Sequence, residues 1–102
     1  MKESELCVIL NSSGIPFKYH HFSSNPPIPY GSYLFEDSEP VFADGITALE
    51  FDKVRIELYL DEKSPETEQK LTDALTNAGI AYTKIDEAYI EEEKLYQIVY
   101  EI

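Results

Sequence analysis

Apolar and polar side chains alternate most regularly between residues 53 and 61. Four apolar residues face one way, and four polar residues face the other: Val54, Ile56, Leu58 and Leu60 against Arg55, Glu57, Tyr59 and Asp61. An unbroken period of two is typical of a strand that is buried on one face only. The pattern therefore predicts a strand within residues 46–61, with Tyr59 on its outward face beside Arg55 and Glu57.

The spacing changes to that of a helix directly afterwards. Ser64 suits the N-cap position and Pro65 suits the first helical position. An apolar stripe follows at helical spacing, formed by Leu71, Ala74, Leu75 and Ala78. We expect this helix to end at 77–79, where Gly79 stands.

A shorter helix is predicted at residues 3–13. Leu6, Ile9 and Leu10 fall at helical spacing, and Gly14 suits a left-handed position just after the helix. Residues 7–9 are also compatible with a strand.

Four further strands complete the predicted architecture, at 15–22, 30–35, 80–85 and 95–102. Three prolines between residues 26 and 29 separate the first two strands, and Gly31 is expected to mark a bulge. Residues 36–45 are expected to form a loop. The order α-β-β-β-α-β-β predicts an α+β fold with a mostly antiparallel sheet and both helices packed on one face. The helix at 64–79 is expected to make a crossover to a non-adjacent strand.

Composition fits one small domain spanning residues 1–102. The chain has 102 residues, 43% of them hydrophobic, and a net charge of −12. Residues 36–102 carry 18 acids against six bases, which accounts for the whole net charge. We expect so acidic a chain to bind nucleic acids and anionic membranes poorly, because binding to either requires Lys and Arg side chains. Neither a signal peptide nor a membrane span is predicted.

Candidate catalytic chemistry is weak. Cys7 is the only cysteine, and neighbouring His20 and His21 would point to opposite faces of a strand, so they are poorly placed to share one metal ion. The acids at 44 and 86–87 lack any recognisable metal-binding or acid–base motif. We therefore expect no catalytic residues, no metal site and no cofactor.

Interaction surfaces are better candidates. Tyrosine is enriched at interfaces because it buries a large area and keeps a polar tip, so Arg55, Glu57 and Tyr59 form the first candidate surface. Pro26 and Pro27 belong to a Pro-x-x-Pro segment that suits either partner binding or a rigid loop. The acidic run Glu91, Glu92 and Glu93 suits either solvation or a basic partner.

Several short segments recur in the same order in one protein family. They are 15–17 with 19–22, Pro27 before Tyr30, 42–45, 56–59, Lys63 with Glu66 and Glu68, 79–82, 89–90 and 95–100. Over most of its length the chain resembles the small tail-completion, or tail-terminator-like, proteins in the head–tail joining modules of long-tailed bacteriophages and prophages of Firmicutes.

The resemblance implies a non-enzymatic structural protein with a small α+β fold. Such proteins form a ring, in known cases a hexamer, that caps the tail tube and meets the head connector. The expected partners are thus other copies of the chain, the tail tube protein and the head connector protein. The expected locations are the host bacterial cytoplasm during assembly and then the head–tail junction of the virion. The family supplies no catalytic residues.

Two other functions remain open from the sequence. An acidic DNA mimic or inhibitor would use its carboxylates to occupy a basic nucleic-acid enzyme. A small metal-dependent enzyme would use His20 or His21 with nearby carboxylates.

Overall fold

The computed structural model describes residues 3–20, 22–24, 26–36, 41–43, 46–48 and 53–102. Its elements are α1 (Glu3–Asn11), β1 (Phe17–Tyr19), β2 (Tyr30–Glu36), β3 (Val41–Ala43), β4 (Ile46–Ala48), β5 (Lys53–Leu60), α2 (Pro65–Asn77), β6 (Thr83–Ile90) and β7 (Leu95–Glu101). Strands β3 and β4 form a two-stranded antiparallel ladder, and the other five strands form the main sheet. Neither helix in the described part is long and apolar enough to cross a membrane.

The main sheet has the strand order β1-β2-β5-β7-β6. All neighbouring pairs are antiparallel except β1 and β2. The helices lie on one side of this sheet, and with its five strands they follow the predicted order, so the α+β fold is confirmed. The predicted crossover is also confirmed, because β7 lies between β5 and β6, the strands that α2 connects.

The core lies between the helices and one face of the sheet. The apolar residues of β5 point into it, and Ile56 sits in one row with Tyr33 of β2 and Tyr100 of β7. The helices supply Leu6, Leu10, Leu71 and Leu75, each fully buried. The polar residues of β5 therefore lie on the opposite face of the sheet, as the alternation in the sequence predicted.

Both ends of α2 are defined by local sequence. The Ser64 hydroxyl accepts a hydrogen bond from the backbone N–H of Thr67 at 3.3 Å, which confirms the predicted N-cap. At the other end Gly79 has a φ of +75°, and the next residue, Ile80, donates its N–H to the carbonyl of Leu75 at 2.9 Å. This is a Schellman turn, and Ile80 packs against the core.

Two predicted strands have different bounds from those expected. Ile80 closes the end of α2 and residues 81–82 lie outside any strand, so the strand predicted at 80–85 instead runs from Thr83 to Ile90. The strand predicted at 15–22 is only three residues long, because His20 takes a φ of +68° and turns the chain away. His21 lies outside the described residues.

The outer edge of β1 is occupied by a side chain of α1. The Asn11 amide accepts a hydrogen bond from the N–H of Phe17 at 3.0 Å and donates one to the Phe17 carbonyl at 3.1 Å. On the other side of β1, the N–H of Gly31 in β2 bonds the Pro16 carbonyl at 2.9 Å. Asn11 therefore acts on Phe17 as a neighbouring strand would.

The prediction of a β-bulge at Gly31 is wrong. The ladder between β2 and β5 runs in regular register from Tyr30 to Glu36. Gly31 is needed for another reason, because a Cβ atom at this position would overlap the Phe17 ring. The expectation of a continuous loop at 36–45 is also wrong, since that segment contains β3.

Candidate interaction surface

Arg55, Glu57 and Tyr59 lie side by side on the face of β5 that points away from the helices. Arg55 Nε donates to Glu57 Oε1 at 2.9 Å, and the Tyr59 hydroxyl donates to Glu57 Oε2 at 2.5 Å. Alternation along β5 spaces the three side chains two residues apart on one face, and Glu57 lies between the other two. We call these three residues the β5 patch; the sequence predicted its members and its outward direction.

Neighbouring strand β7 adds a fourth residue to the β5 patch. Gln97 lies directly opposite Tyr59 in the β5–β7 ladder, and its Nε2 donates to the Tyr59 hydroxyl at 3.2 Å. The Tyr59 hydroxyl thus accepts one hydrogen bond and donates another. These contacts hold the ring in one orientation, so the patch is preorganised.

Aromatic rings extend the β5 patch toward the first strands. Tyr30 is opposite Tyr59 in the β2–β5 ladder, and their rings stack with centroids 5.1 Å apart. Phe22 meets Tyr30 edge-on, with the ring centroids 5.8 Å apart. Tyr30 is almost fully buried, so it supports Tyr59 rather than offering surface of its own.

The surroundings of Tyr59 raise its pKa to about 12. Burial is the largest cause, because a phenolate is poorly solvated there, and the hydrogen bond to Glu57 adds to the shift. Tyr59 therefore stays protonated at neutral pH and keeps donating to Glu57.

The proline segment and the acidic run meet the same end of the sheet. The segment containing Pro26 and Pro27 leads into Tyr30, which pairs with Tyr59 near the end of β5. The run from Glu91 to Glu93 forms the exposed turn between β6 and β7 at that end. Burial raises the pKa of Tyr30, and the negative charge of Glu93 raises it further. The sequence did not predict this proximity.

A second polar network joins α2 to β6 and β7 on the helix-bearing face. Lys84 Nζ bonds Glu68 of α2 at 2.9 Å and Glu87 at 3.3 Å, and Lys63 bonds Glu87 at 2.8 Å. Lys63 and then Lys84 lower the pKa of Glu87, whereas Glu68 is the main cause that raises the pKa of Lys84. Tyr100 donates to Glu68 at 3.2 Å. This network links the helix to the sheet.

The described residues offer little for metal or nucleophilic chemistry. No group of three or more His, Cys, Asp or Glu side chains among them is placed to hold a metal ion. His20 is exposed beyond β1. Cys7 is half-buried in α1 and packs against the core, and its Sγ accepts a hydrogen bond from Asn11 at 3.5 Å.

Three residues that extend or support the β5 patch were not predicted from the sequence: Gln97, Tyr30 and Phe22. Because side chains alternate along β7, Gln97 points to the opposite face from Tyr96 and Ile98. The sequence pattern therefore indicates that the Gln97 side chain points outward. Its contact with Tyr59 depends on strand order and register, which link residues 38 positions apart.

No family model matches this chain, and none of the curated proteins matches it.

Proposed function

We propose that this chain is a non-enzymatic structural protein of a long-tailed bacteriophage or prophage, which completes the tail and forms part of the head–tail junction as a ring on the tail tube. The proposal rests on the ordered resemblance of its segments to tail-completion proteins and on one structural observation. That observation is the β5 patch, where a half-buried tyrosine is held by Glu57 and Gln97 on the sheet face away from the helices.

The chemistry of the β5 patch suits protein contact. Tyrosine and arginine are enriched in interfaces and among the residues that carry most binding energy. A side chain already held in its bound orientation loses less conformational entropy on association. The free chain already holds Tyr59 in one orientation, because its ring stacks on Tyr30 and its hydroxyl has two partners.

The charge of the chain suits assembly on a partner rather than in isolation. Each subunit carries a net charge of −12, so subunits brought together in a ring repel one another unless cations or a basic partner screen them. A basic surface on the tail tube or head connector would supply that screening. A negative lumen would also let DNA pass without sticking.

Electron microscopy of tail tubes assembled from the tail tube protein of the same phage tests this proposal. We expect the wild-type chain to form a ring-shaped cap and to stop tube growth. Tyr59→Ala should lose tube binding, and Tyr59→Phe, which keeps the ring but lacks its hydroxyl, should weaken it. Val8→Ala is the matched control, because Val8 is 71% exposed on α1, outside the β5 patch.

Two outcomes would contradict the proposal. One is capping by folded Tyr59→Ala as efficient as that of the wild type. The other is a failure to bind tubes together with tight binding to a basic DNA-binding enzyme that DNA competes away; this result would favour the acidic DNA-mimic function.

A further inference from the structure

The two edge strands of the main sheet differ in how open they are. At β1 the Asn11 side chain already bonds the outward N–H and carbonyl of Phe17. Within the described part of the chain, β6 pairs with β7 alone, over eight residues. An edge strand of this length presents a row of backbone donors and acceptors to which another strand can pair. Strand β6 is therefore the open edge.

Exposed apolar surface is concentrated at this same edge. Five large hydrophobic residues of the described chain are exposed, and three of them lie in β6 or directly before it: Tyr82 at 40%, Ile85 at 46% and Tyr89 at 48%. Soluble proteins usually protect long edge strands with charge, proline or a bulge. Here β6 has both charge, at Lys84, Asp86 and Glu87, and a register irregularity between Lys84 and Asp86. The exposed apolar side chains nevertheless lie among these charges.

The outer positions of the segment 82–89 are complementary to each other when two copies run antiparallel, and the two central positions bring Ile85 opposite Asp86. We place the two-fold axis that relates the copies between Ile85 and Asp86. Tyr82 of each copy then faces Tyr89 of the other copy, and Lys84 of each copy faces Glu87 of the other. Opposite charges and aromatic pairs directly across an antiparallel ladder are stabilising. Small Thr83 then faces small Ala88.

The fold places these side chains on matching faces. Tyr82 and Tyr89 contact Tyr100 and Tyr96, which belong to the helix-bearing face, with ring centroids 5.9 Å and 4.9 Å apart. Lys84 lies opposite Tyr100 and Glu87 opposite Ile98, so they share that face. In a regular strand, residues 84 and 87 would point to opposite faces. The register irregularity adds one residue between them, so Lys84 and Glu87 point to the same face.

We propose that β6 pairs with β6 of a second copy of this chain, in an antiparallel dimer with one continuous sheet. Each interface end then buries a Tyr82–Tyr89 pair. Each Lys84, which already bonds Glu68 and Glu87 of its own chain, comes opposite the partner's Glu87 and adds this residue to the network. These local attractions act against the mutual repulsion of two acidic chains. The inference goes beyond the proposed function and uses a surface other than the β5 patch, so either holds or fails without the other.

Sedimentation velocity of charge-exchanged variants in about 0.15 M salt tests the Lys84–Glu87 contact. We expect the wild type to dimerise with rising concentration, and Lys84→Glu and Glu87→Lys each to dimerise at least about tenfold more weakly. An equal mixture of the two variants should dimerise again, because a carboxylate then faces an ammonium group at both contacts of the mixed dimer. Circular dichroism checks that each variant is folded.

A wild type that stays monomeric up to about 1 mM would overturn the proposal. So would variants that dimerise as well alone as in the mixture. Ile85→Asp provides a second measurement, since it places a carboxylate at the centre of the interface at an exposed position. It should weaken the dimer, while Val8→Asp, at an exposed apolar position on α1, should not. Equal effects of the two changes would also count against β6 pairing.

Disulfide trapping tests the register. In a Cys7→Ser background, Thr83→Cys and Ala88→Cys each place one thiol on β6, and the proposed pairing brings residue 83 of one copy opposite residue 88 of the other. Oxidising a mixture of the two variants should give covalent dimers, and oxidising either alone should not. Equally efficient dimers from either variant alone would overturn this register.

Discussion

At the scale of single residues, Gly31 permits the closest packing in the sheet. The Phe17 ring of β1 lies over the Gly31 Cα, in the space that any larger side chain would need. Phe17 is itself almost fully buried in the core, so it has little freedom to move aside. One small residue in β2 thus sets how closely β1 can pack.

Gly31→Ala is expected to destabilise the protein by about 1–3 kcal/mol, since the added methyl group forces the Phe17 ring or the backbone to shift. Urea unfolding followed by circular dichroism measures the change in the free energy of unfolding. Phe17→Leu in the same chain should recover part of the loss, because the shorter side chain makes room. Additive losses in the double variant would show that Phe17 is not the group in conflict.

Tyr59 makes the stability of the folded protein depend on pH in the alkaline range. Its pKa rises from 10.0 in the unfolded chain to about 12 in the folded protein. The unfolded chain therefore releases this proton first as pH rises, so the stabilising contribution is complete below pH 10 and is lost between pH 10 and 12.

Urea titrations at a series of pH values, on the wild type and Tyr59→Phe, measure this contribution. We expect the free energy of unfolding to fall more steeply between pH 10 and 12 in the wild type than in the variant. Tyr30 and Tyr100 remain in both proteins, so the difference between the curves reports the Tyr59 hydroxyl together with its interaction with Tyr30. Parallel curves would show that Tyr59 titrates at an ordinary pKa in the folded state.

At the scale of elements, the local sequence of α2 sets both of its limits. Ser64 caps its first turn, and Gly79 with Ile80 closes its last. The two fully buried leucines, Leu71 and Leu75, fix which side of the helix faces the sheet. Strand β1, in contrast, depends on Asn11 and β2 for its backbone hydrogen bonds.

Ser64→Ala should lower stability by about 1 kcal/mol, because the N–H of Thr67 loses its side-chain acceptor. Ser64→Asp is the matched control, since a carboxylate also accepts this hydrogen bond and suits the positive end of a helix. Thermal unfolding of the three proteins compares them. A loss as large for Asp as for Ala would show that another property of Ser64, such as its contact with the Thr67 hydroxyl, is responsible.

At the scale of the whole molecule, net charge opposes compactness. The described ion pairs are at least partly exposed and stabilise the fold only slightly, whereas a net charge of −12 repels itself more strongly in the folded chain than in the expanded one.

Raising the NaCl concentration from about 0.01 M to 0.15 M is therefore expected to raise the melting temperature, by about 4–8 °C if screening removes about 1 kcal/mol of repulsion. Differential scanning calorimetry measures this. Glu91→Gln with Glu92→Gln, two exposed changes in one turn, should reduce the salt effect. A melting temperature that falls with salt would mean that the ion pairs outweigh the net repulsion.

The local sequence was sufficient for several elements. Strict alternation predicted β5 and the outward direction of Tyr59, because side-chain period is a local property of a strand. Capping chemistry predicted the start of α2 for the same reason. The α+β class followed from the order of such elements. Bounds were less accurate where a turn uses apolar residues, as at Ile80, which closes the helix instead of beginning a strand.

Tertiary structure alone decided which distant residues meet. Asn11 reaches Phe17, Gln97 reaches Tyr59, and Phe17 lies over Gly31 only once strand order and register are set. The same holds for the edges, since their different accessibility follows from where α1 places one amide. The periodicity of a sequence predicts to which face each side chain points. It does not predict which other segment that side chain will contact, because strand order and register depend on the packing of the whole core.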